Sequence, residues 1–506
     1  MKKILASTLL GLALSFTANA QILRTTVAQG EIEGELYEGF ALYRAIPYAE
    51  APVGNLRWKA PVPKAPWEGV YKAEKWGGRP YQKTDPNQSG NDIPMSEDCL
   101  YLSVETPAKS KDEKLPVFVN IHGGAFATGS YSGTQESFVK EGIVYVSIEY
   151  RLGALGFMAH PELSKESANG ISGNYGIYDQ ICALNWIHDN ISAFGGDPEK
   201  VTICGESAGG ISVSILCASP LCKGLFRAAI SESGGNFGPV SSGGVTNMKL
   251  YTEAEEQGVN FQKKLNAKKM KQLRKVSGEA LIEATQNEQF WPVVDGLAIT
   301  GDQYKLYEEG KYNDVDVLIG YNSDEGSLFV YQMNLNAYKG MLAGQFGNMA
   351  DKAMEVYPAT NDKESLYAVQ DIFRDTAFGW STWAWGNLQT KTGKGKVYMY
   401  YFAQPSQNSI LKNTRGATHV AEMPFIYGWN WGPMTEVDTH MAQIMPQYWI
   451  NFIKAGDPNG EGLPYWTTYK QGETTVMDMH NGFHLTQAPN LPQMEFLEEY
   501  YKSIRK

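Results

Sequence analysis

The run Val201-Thr202-Ile203-Cys204-Gly205-Glu206-Ser207-Ala208-Gly209-Gly210 decides how the rest of this chain is read. Its first four residues are β-branched or apolar, the composition of a buried strand. Gly205 to Gly209 form a G-x-S-x-G turn, and Ile211-Ser212-Val213-Ser214-Ile215-Leu216 opens a helical pattern. Strand, tight turn and helix in that order predict an elbow that lifts the Ser207 hydroxyl to the end of a sheet. A Cβ at Gly205 or Gly209 would crowd such a turn. The helix that follows aims its N-terminal N–H groups and the positive end of its dipole at any anion formed beside Ser207. The plain rival is an ordinary small turn residue, which the context on both sides disfavours.

Outward from this run, the pattern repeats. Val117-Phe118-Val119-Asn120-Ile121, Ile143 to Ile148, Val315 to Gly320 and Lys396 to Phe402 are predicted strands, and Gln180 to Ile191 an amphipathic helix. Buried strands alternating with helices predict an α/β fold whose large central sheet is mostly parallel and flanked by helices. Gln21 to Tyr48 alternates short polar and apolar stretches with glycines, predicting an N-terminal antiparallel hairpin. Pro52 to Gln88, rich in Pro, Gly and Trp, is expected to be irregular. No linker, repeat or low-complexity block interrupts the chain, so residues 21–506 are read as a single domain.

The first twenty residues read as a secretory signal. Lys2-Lys3 is a basic start, Ile4 to Phe16 is mostly apolar, and Ala18-Asn19-Ala20 is an A-x-A cleavage site. The apolar stretch falls short of the roughly 20 residues that span a bilayer. Cleavage after Ala20 and a periplasmic or secreted destination are therefore expected, with no membrane span in the mature chain. The net charge of −11 leaves no electrostatic footprint for nucleic acid. Five cysteines are few and odd in number; Cys217 and Cys222 are close enough in sequence to raise the question of a pair. Seven scattered histidines and no C-x-x-C give no metal site, and no cofactor is called for.

A serine needs a base, and the base needs an orienting group. With this elbow the order along the chain is serine, carboxylate, histidine, each on a loop after a strand. Tyr321-Asn322-Ser323-Asp324-Glu325-Gly326 offers two carboxylates, and Gly416-Ala417-Thr418-His419-Val420-Ala421-Glu422 offers the histidine. His122-Gly123-Gly124-Ala125-Phe126, after the strand ending at Ile121, has the small residues that let backbone N–H groups approach an oxyanion, with the N–H of Ala208 as a further donor.

The chain resembles the type-B carboxylesterases, the α/β-hydrolase branch that includes bacterial para-nitrobenzyl esterases and cholinesterases. The resemblance rests on Ala45 to Gly54, Ser96-Glu97-Asp98-Cys99-Leu100-Tyr101-Leu102, Tyr150 to Phe157, Trp186 to Ile191, Phe194 to Pro198 and Gly456 to Gly460, so it runs the length of the mature chain. It implies an α/β-hydrolase fold with insertions around an active-site gorge. It also implies Ser207 as nucleophile, His419 as general base and Glu325, rather than Asp324, as the orienting acid. Gly124, Ala125 and Ala208 become oxyanion donors, and Glu206 and Ser233 polar neighbours of the triad. Arg57 with Glu97, and Arg151 with Asp179, become structural ion pairs, while His122 props the oxyanion loop. Trp429, Trp431 and Phe425 are candidates for the gorge wall, and Asn236 to Lys249 and Met333 to Gly347 for gorge loops.

Two departures from the family are local: Val420 stands where glycine is usual, and Glu149 where asparagine is. The activity implied is hydrolysis of small-molecule carboxylic esters through an acyl-enzyme, by a monomer, with a dimer as the alternative. Amidase, thioesterase and lipase remain open on the same triad, and a non-catalytic binding protein of the same fold is the rival from another class.

Overall fold

The computed structural model describes residues 21–505 apart from 84–92, 131–132, 242, 244–247, 286–287 and 413. The signal expected over 1–20 lies outside the described residues. Eleven strands form one sheet. They are β1 (Glu35–Tyr37), β2 (Phe40–Pro47), β3 (Tyr101–Thr106), β4 (Leu115–Ile121), β5 (Val144–Ile148), β6 (Gly196–Glu206), β7 (Ala228–Glu232), β8 (Asp316–Asn322), β9 (Val397–Phe402), β10 (Thr475–Met479) and β11 (Phe483–Gln487). Their spatial order is β11-β10-β9-β8-β7-β6-β4-β5-β3-β2-β1. From β10 across to β5 every pairing is parallel, and the outer strands pair antiparallel.

The expected N-terminal hairpin is present twice. Arg24–Val27 pairs with Gly30–Glu33 in a small separate sheet completed by Val70–Lys72, and β1 pairs with β2 at the edge of the large one.

Alternation along each central strand explains why the sheet is covered on both faces. Val117, Val119, Ile121, Val201, Ile203, Val317 and Ile319 pack into one apolar cluster. Phe118, Cys204, Ile230, Leu318, Tyr398 and Tyr400 pack into another. The first cluster takes in helices α1 (Tyr175–Asn190) and α2 (Ala208–Ala218), and the second takes in α5 (Glu436–Ala455). Between them in the chain, α3 (Asp362–Arg374) runs through a π-helical turn, Asp375–Gly379, directly into α4 (Trp380–Thr392).

Helix α1 begins five residues before the expected Gln180 and is not cleanly amphipathic. Asp179 and Gln180 are buried on it because Asp179 receives Arg151 Nε at 2.8 Å and Nη2 at 2.7 Å, the ion pair implied by the resemblance. The Arg57–Glu97 pair also forms, with Nε to Oε2 at 2.6 Å. All five cysteines, Cys217 and Cys222 included, are free thiols.

This topology delivers five loops to one edge of the sheet, where the carboxyl ends of parallel strands gather. They follow β4, β6, β7, β8 and β9, the elements that carry the residues singled out above.

Candidate active site

Ser207 sits between β6 and α2 with φ +57° and ψ −123°, a conformation an L-residue adopts only under constraint. The constraint is visible: Ser207 N–H donates to Glu232 O at 2.9 Å, and Ile211 N–H donates to Ser207 O at 2.8 Å. A Cβ on Gly205 would stand 2.4 Å from the Gly209 carbonyl carbon, and one on Gly209 would stand 2.1 Å from Ile121 O. Only glycine fits either place. Ser207 is half-buried in an otherwise buried run.

The loop after β4 crosses in front of it. Gly124, Ala125 and Phe126 all take positive φ, at 102°, 54° and 55°. Gly124 O accepts from Ala127 N at 3.0 Å and Thr128 N at 2.9 Å, which closes the turn. An ideal Cβ on Gly123 would lie 3.3 Å from Ser207 Cβ, so the backbone passes directly over the serine. Among the described residues no backbone carbonyl takes the N–H of Gly124, Ala125 or Ala208. His122 braces the loop as expected: its ring stacks on Tyr150 at 4.4 Å, and Tyr150 Oη donates to His122 O at 2.7 Å.

The loops after β8 and β9 are pinned together. Asp324 N donates to Ala417 O at 2.7 Å, and Asn322 Nδ2 donates to Thr418 O at 2.9 Å. This brings His419 Nδ1 to 2.6 Å from Glu325 Oε2. The other Glu325 oxygen accepts from Ser233 Oγ at 2.6 Å and from Asn322 N at 2.7 Å. Asp324 is turned away toward Arg415, whose Nη2 lies at 3.2 Å, so of the two carboxylates it is Glu325 that meets His419.

The second ring nitrogen faces another acid: His419 Nε2 lies 3.2 Å from Glu206 Oε1. Ser207 Oγ makes no hydrogen bond among the described residues. Glu206, the residue just before Ser207, is thus the one that touches this face of the imidazole.

Burial alone would lower the imidazole's proton affinity, but the charges of Glu206 and then Glu325 overcome it and raise its pKa to about 9. Burial pushes the Glu206 carboxyl well above the ordinary range; only His419 opposes, while Glu422, Glu325 and Glu232 push the same way. Glu422 is raised to about 7 and Glu232 to about 8, burial leading in both.

Four site residues were not assigned from the sequence. Glu232 and Glu422 complete a buried acidic shell, and Phe378 and Phe329 frame the imidazole with centroids at 4.8 Å and 5.1 Å. Phe378 stacks nearly parallel, at 14°, and is delivered by the π-helical turn, which has no periodic signal in the sequence. Glu422 had a faint one, three residues after His419 on the same loop.

A cavity of about 340 Å³ opens beside these groups, lined by Gly123, Gly124, Glu206, Val420, Trp429 and Trp431 among others. Phe425, the third aromatic expected there, is instead fully buried in the core. No described residue of Asn236 to Lys249 or Met333 to Gly347 lines this cavity; its lining comes from the loops after β4 and β9 and from residues on β4, β5 and the end of β6.

A mostly parallel sheet in this strand order, with a buried histidine–carboxylate pair on its carboxyl-end loops, defines an α/β hydrolase. The model of the carboxylesterase family matches residues 20–497. The para-nitrobenzyl esterase of Bacillus subtilis (strain 168) is 33% identical over 483 residues, covering 90% of this chain and 94% of that protein. The fumonisin B1 esterase of Sphingopyxis macrogoltabida is 30% identical over 482 residues, covering 90% and 86%. A solved structure of PNB esterase has a TM-score of 0.80 to this chain at 30% identity, covering 94% of it and 100% of that chain. The chain belongs to the carboxylesterase family, in its type-B branch, and is a carboxylic-ester hydrolase.

Proposed function

We propose that Ser207, His419 and Glu325 hydrolyse small carboxylic esters by two acyl transfers, within one catalytic domain spanning 21–506 that is exported by a signal cleaved after Ala20. Ser207 Oγ adds to the ester carbonyl and passes its proton to His419 Nε2, while Glu325 stabilises the imidazolium through Nδ1. The N–H groups of Gly124, Ala125 and Ala208 receive the oxyanion, each such donor being worth ~10²–10³ in rate. The alcohol leaves with the proton from Nε2, and water then releases the acid by the same roles. Ser233 and Glu206 hold the triad's polar surroundings.

One observation carries this reading: the buried 2.6 Å contact between His419 and Glu325, set at the strand ends beside a serine held at φ +57°. None of the described helices is long and apolar enough to cross a membrane. The test is stoichiometric labelling by a fluorophosphonate probe, with turnover of p-nitrophenyl esters of graded chain length. Ser207→Ala is expected to lose the label and at least ~10⁴ in kcat. A folded protein that turns over esters without Ser207 overturns the reading.

A further inference from the structure

The cavity beside the triad has two unlike walls. Tyr427, Trp429 and Trp431 form one, with Tyr427 and Trp429 stacked at 5.6 Å and the two indoles at 5.5 Å. This aromatic wall is held from behind: Asn408 Nδ2 donates to Trp429 O at 3.1 Å, and Asn408 Oδ1 accepts from Trp431 N. Trp429 is 37% exposed, far from the burial of a core indole. The rest of the lining includes the amides of Asn120 and Gln135 and the hydroxyls of Thr128 and Ser130. Glu206, only 8% exposed, also lines the cavity, its Oε1 held against His419 Nε2 at 3.2 Å.

Location says which half of an ester arrives here. Glu206 touches His419 Nε2, and Val420 directly follows His419; both line the cavity. The departing oxygen takes its proton from Nε2, so the alcohol half leaves through this space. Charge narrows its chemistry. Among the described residues no lysine or arginine lines the cavity to pair with an anion. The single carboxylate is already against the imidazole, so a cationic alcohol would bring its charge beside the imidazolium that forms in each half-reaction. A neutral ring bearing several hydroxyls suits this lining: its C–H face covers the indoles, and its edge exchanges hydrogen bonds with the amides and hydroxyls.

We propose that this cavity binds the alcohol half of the ester as a polyhydroxylated ring, so that the preferred substrates are acyl esters of sugars or cyclitols. The proposal rests on Ser207 being the nucleophile, and the experiment separates the two. Turnover is compared for four acetates: p-nitrophenyl acetate, methyl glucoside 6-acetate, cyclohexylmethyl acetate and acetylcholine.

The sugar ester is expected to exceed the cyclohexylmethyl ester in kcat/KM by about tenfold or more, the scale of one or two hydrogen bonds to a hydroxyl. Trp429→Ala and Gln135→Leu are each expected to bring that ratio toward one. A cyclohexylmethyl or choline ester that matches the sugar ester, or a ratio indifferent to both substitutions, overturns the proposal. Failure of p-nitrophenyl acetate turnover would instead strike the nucleophile. Tryptophan fluorescence titrated with methyl glucoside and with cyclohexylmethanol then still decides: quenching by the sugar, lost in Trp429→Ala, upholds the cavity's role, and quenching by cyclohexylmethanol alone overturns it.

Discussion

Glu206 Oε1 lies 3.2 Å from His419 Nε2, so the ring nitrogen that accepts the serine proton in the proposed mechanism is faced by a carboxylate. Against the cost of burial, Glu206 and Glu325 together raise the imidazole's pKa to about 9. An imidazolium cannot act as a base, so kcat/KM is expected to climb with pH toward about 9. Glu206→Gln removes the anion at Nε2 and is expected to shift that acidic limb down by about one pH unit or more. Profiles of p-nitrophenyl acetate hydrolysis from pH 5 to 10 check this; coincident limbs would refute it.

Phe378 stacks on the His419 ring at 4.8 Å and 14°, and it comes from a π-helical turn rather than from either flanking helix. Phe378→Leu keeps the volume apolar but removes the flat face. kcat is expected to fall about tenfold with KM little changed, one lost ring contact being worth roughly 1 kcal/mol. Phe378→Tyr is expected to restore most of it. Equal losses in both variants would mean the ring serves packing alone.

Val420 has φ +65°, a region where a β-branched residue is strained by roughly 1–2 kcal/mol. Glycine, usual in the family at this place, relieves that strain at a smaller entropic cost. Val420→Gly is expected to raise the urea midpoint slightly at unchanged m-value. A lowered midpoint would show that the valine's packing against the cavity outweighs the strain.

The Arg151–Asp179 pair is buried on both sides, and Asp179 also accepts from Arg151 N at 3.0 Å. Asp179→Ala strands a buried guanidinium and is expected to cost about 3–5 kcal/mol of stability, read by denaturant unfolding. Loss of under 1 kcal/mol would mean that water reaches Arg151.

Glu232 is held up to about 8 by burial, while it accepts from Trp449 Nε1 at 2.6 Å. Its folded form keeps a proton that the unfolded chain releases near its ordinary value of 4.5. Stability from this group is thus present below about pH 4.5 and lost as pH rises toward 8. Glu232→Gln is expected to flatten the decline of Tm between pH 5 and 8. An unchanged slope would assign the decline to other groups.

Strands β4, β5, β6, β8 and β9 were legible because buried parallel strands need continuous apolar runs, and Gly205 and Gly209 because no other residue fits an elbow that tight; β7, Ala228–Glu232, was not singled out. Glu325 was separable from Asp324 only by family position; in space the choice is plain, since Arg415 claims Asp324. Phe425 could not be told from Trp429 and Trp431 in one dimension, because an aromatic residue carries the same apolar signal whether it fills the core or lines a cavity.

From its sequence alone this chain specified most of the central strands, the elbow and its family, and suggested the order serine–acid–histidine, all of which rest on local pattern. Tertiary structure alone decided which acids surround His419, which rings cover it and which walls bound the cavity. Those contacts join residues some 40 to more than 200 positions apart, and the proton affinity of a buried group depends on everything packed around it.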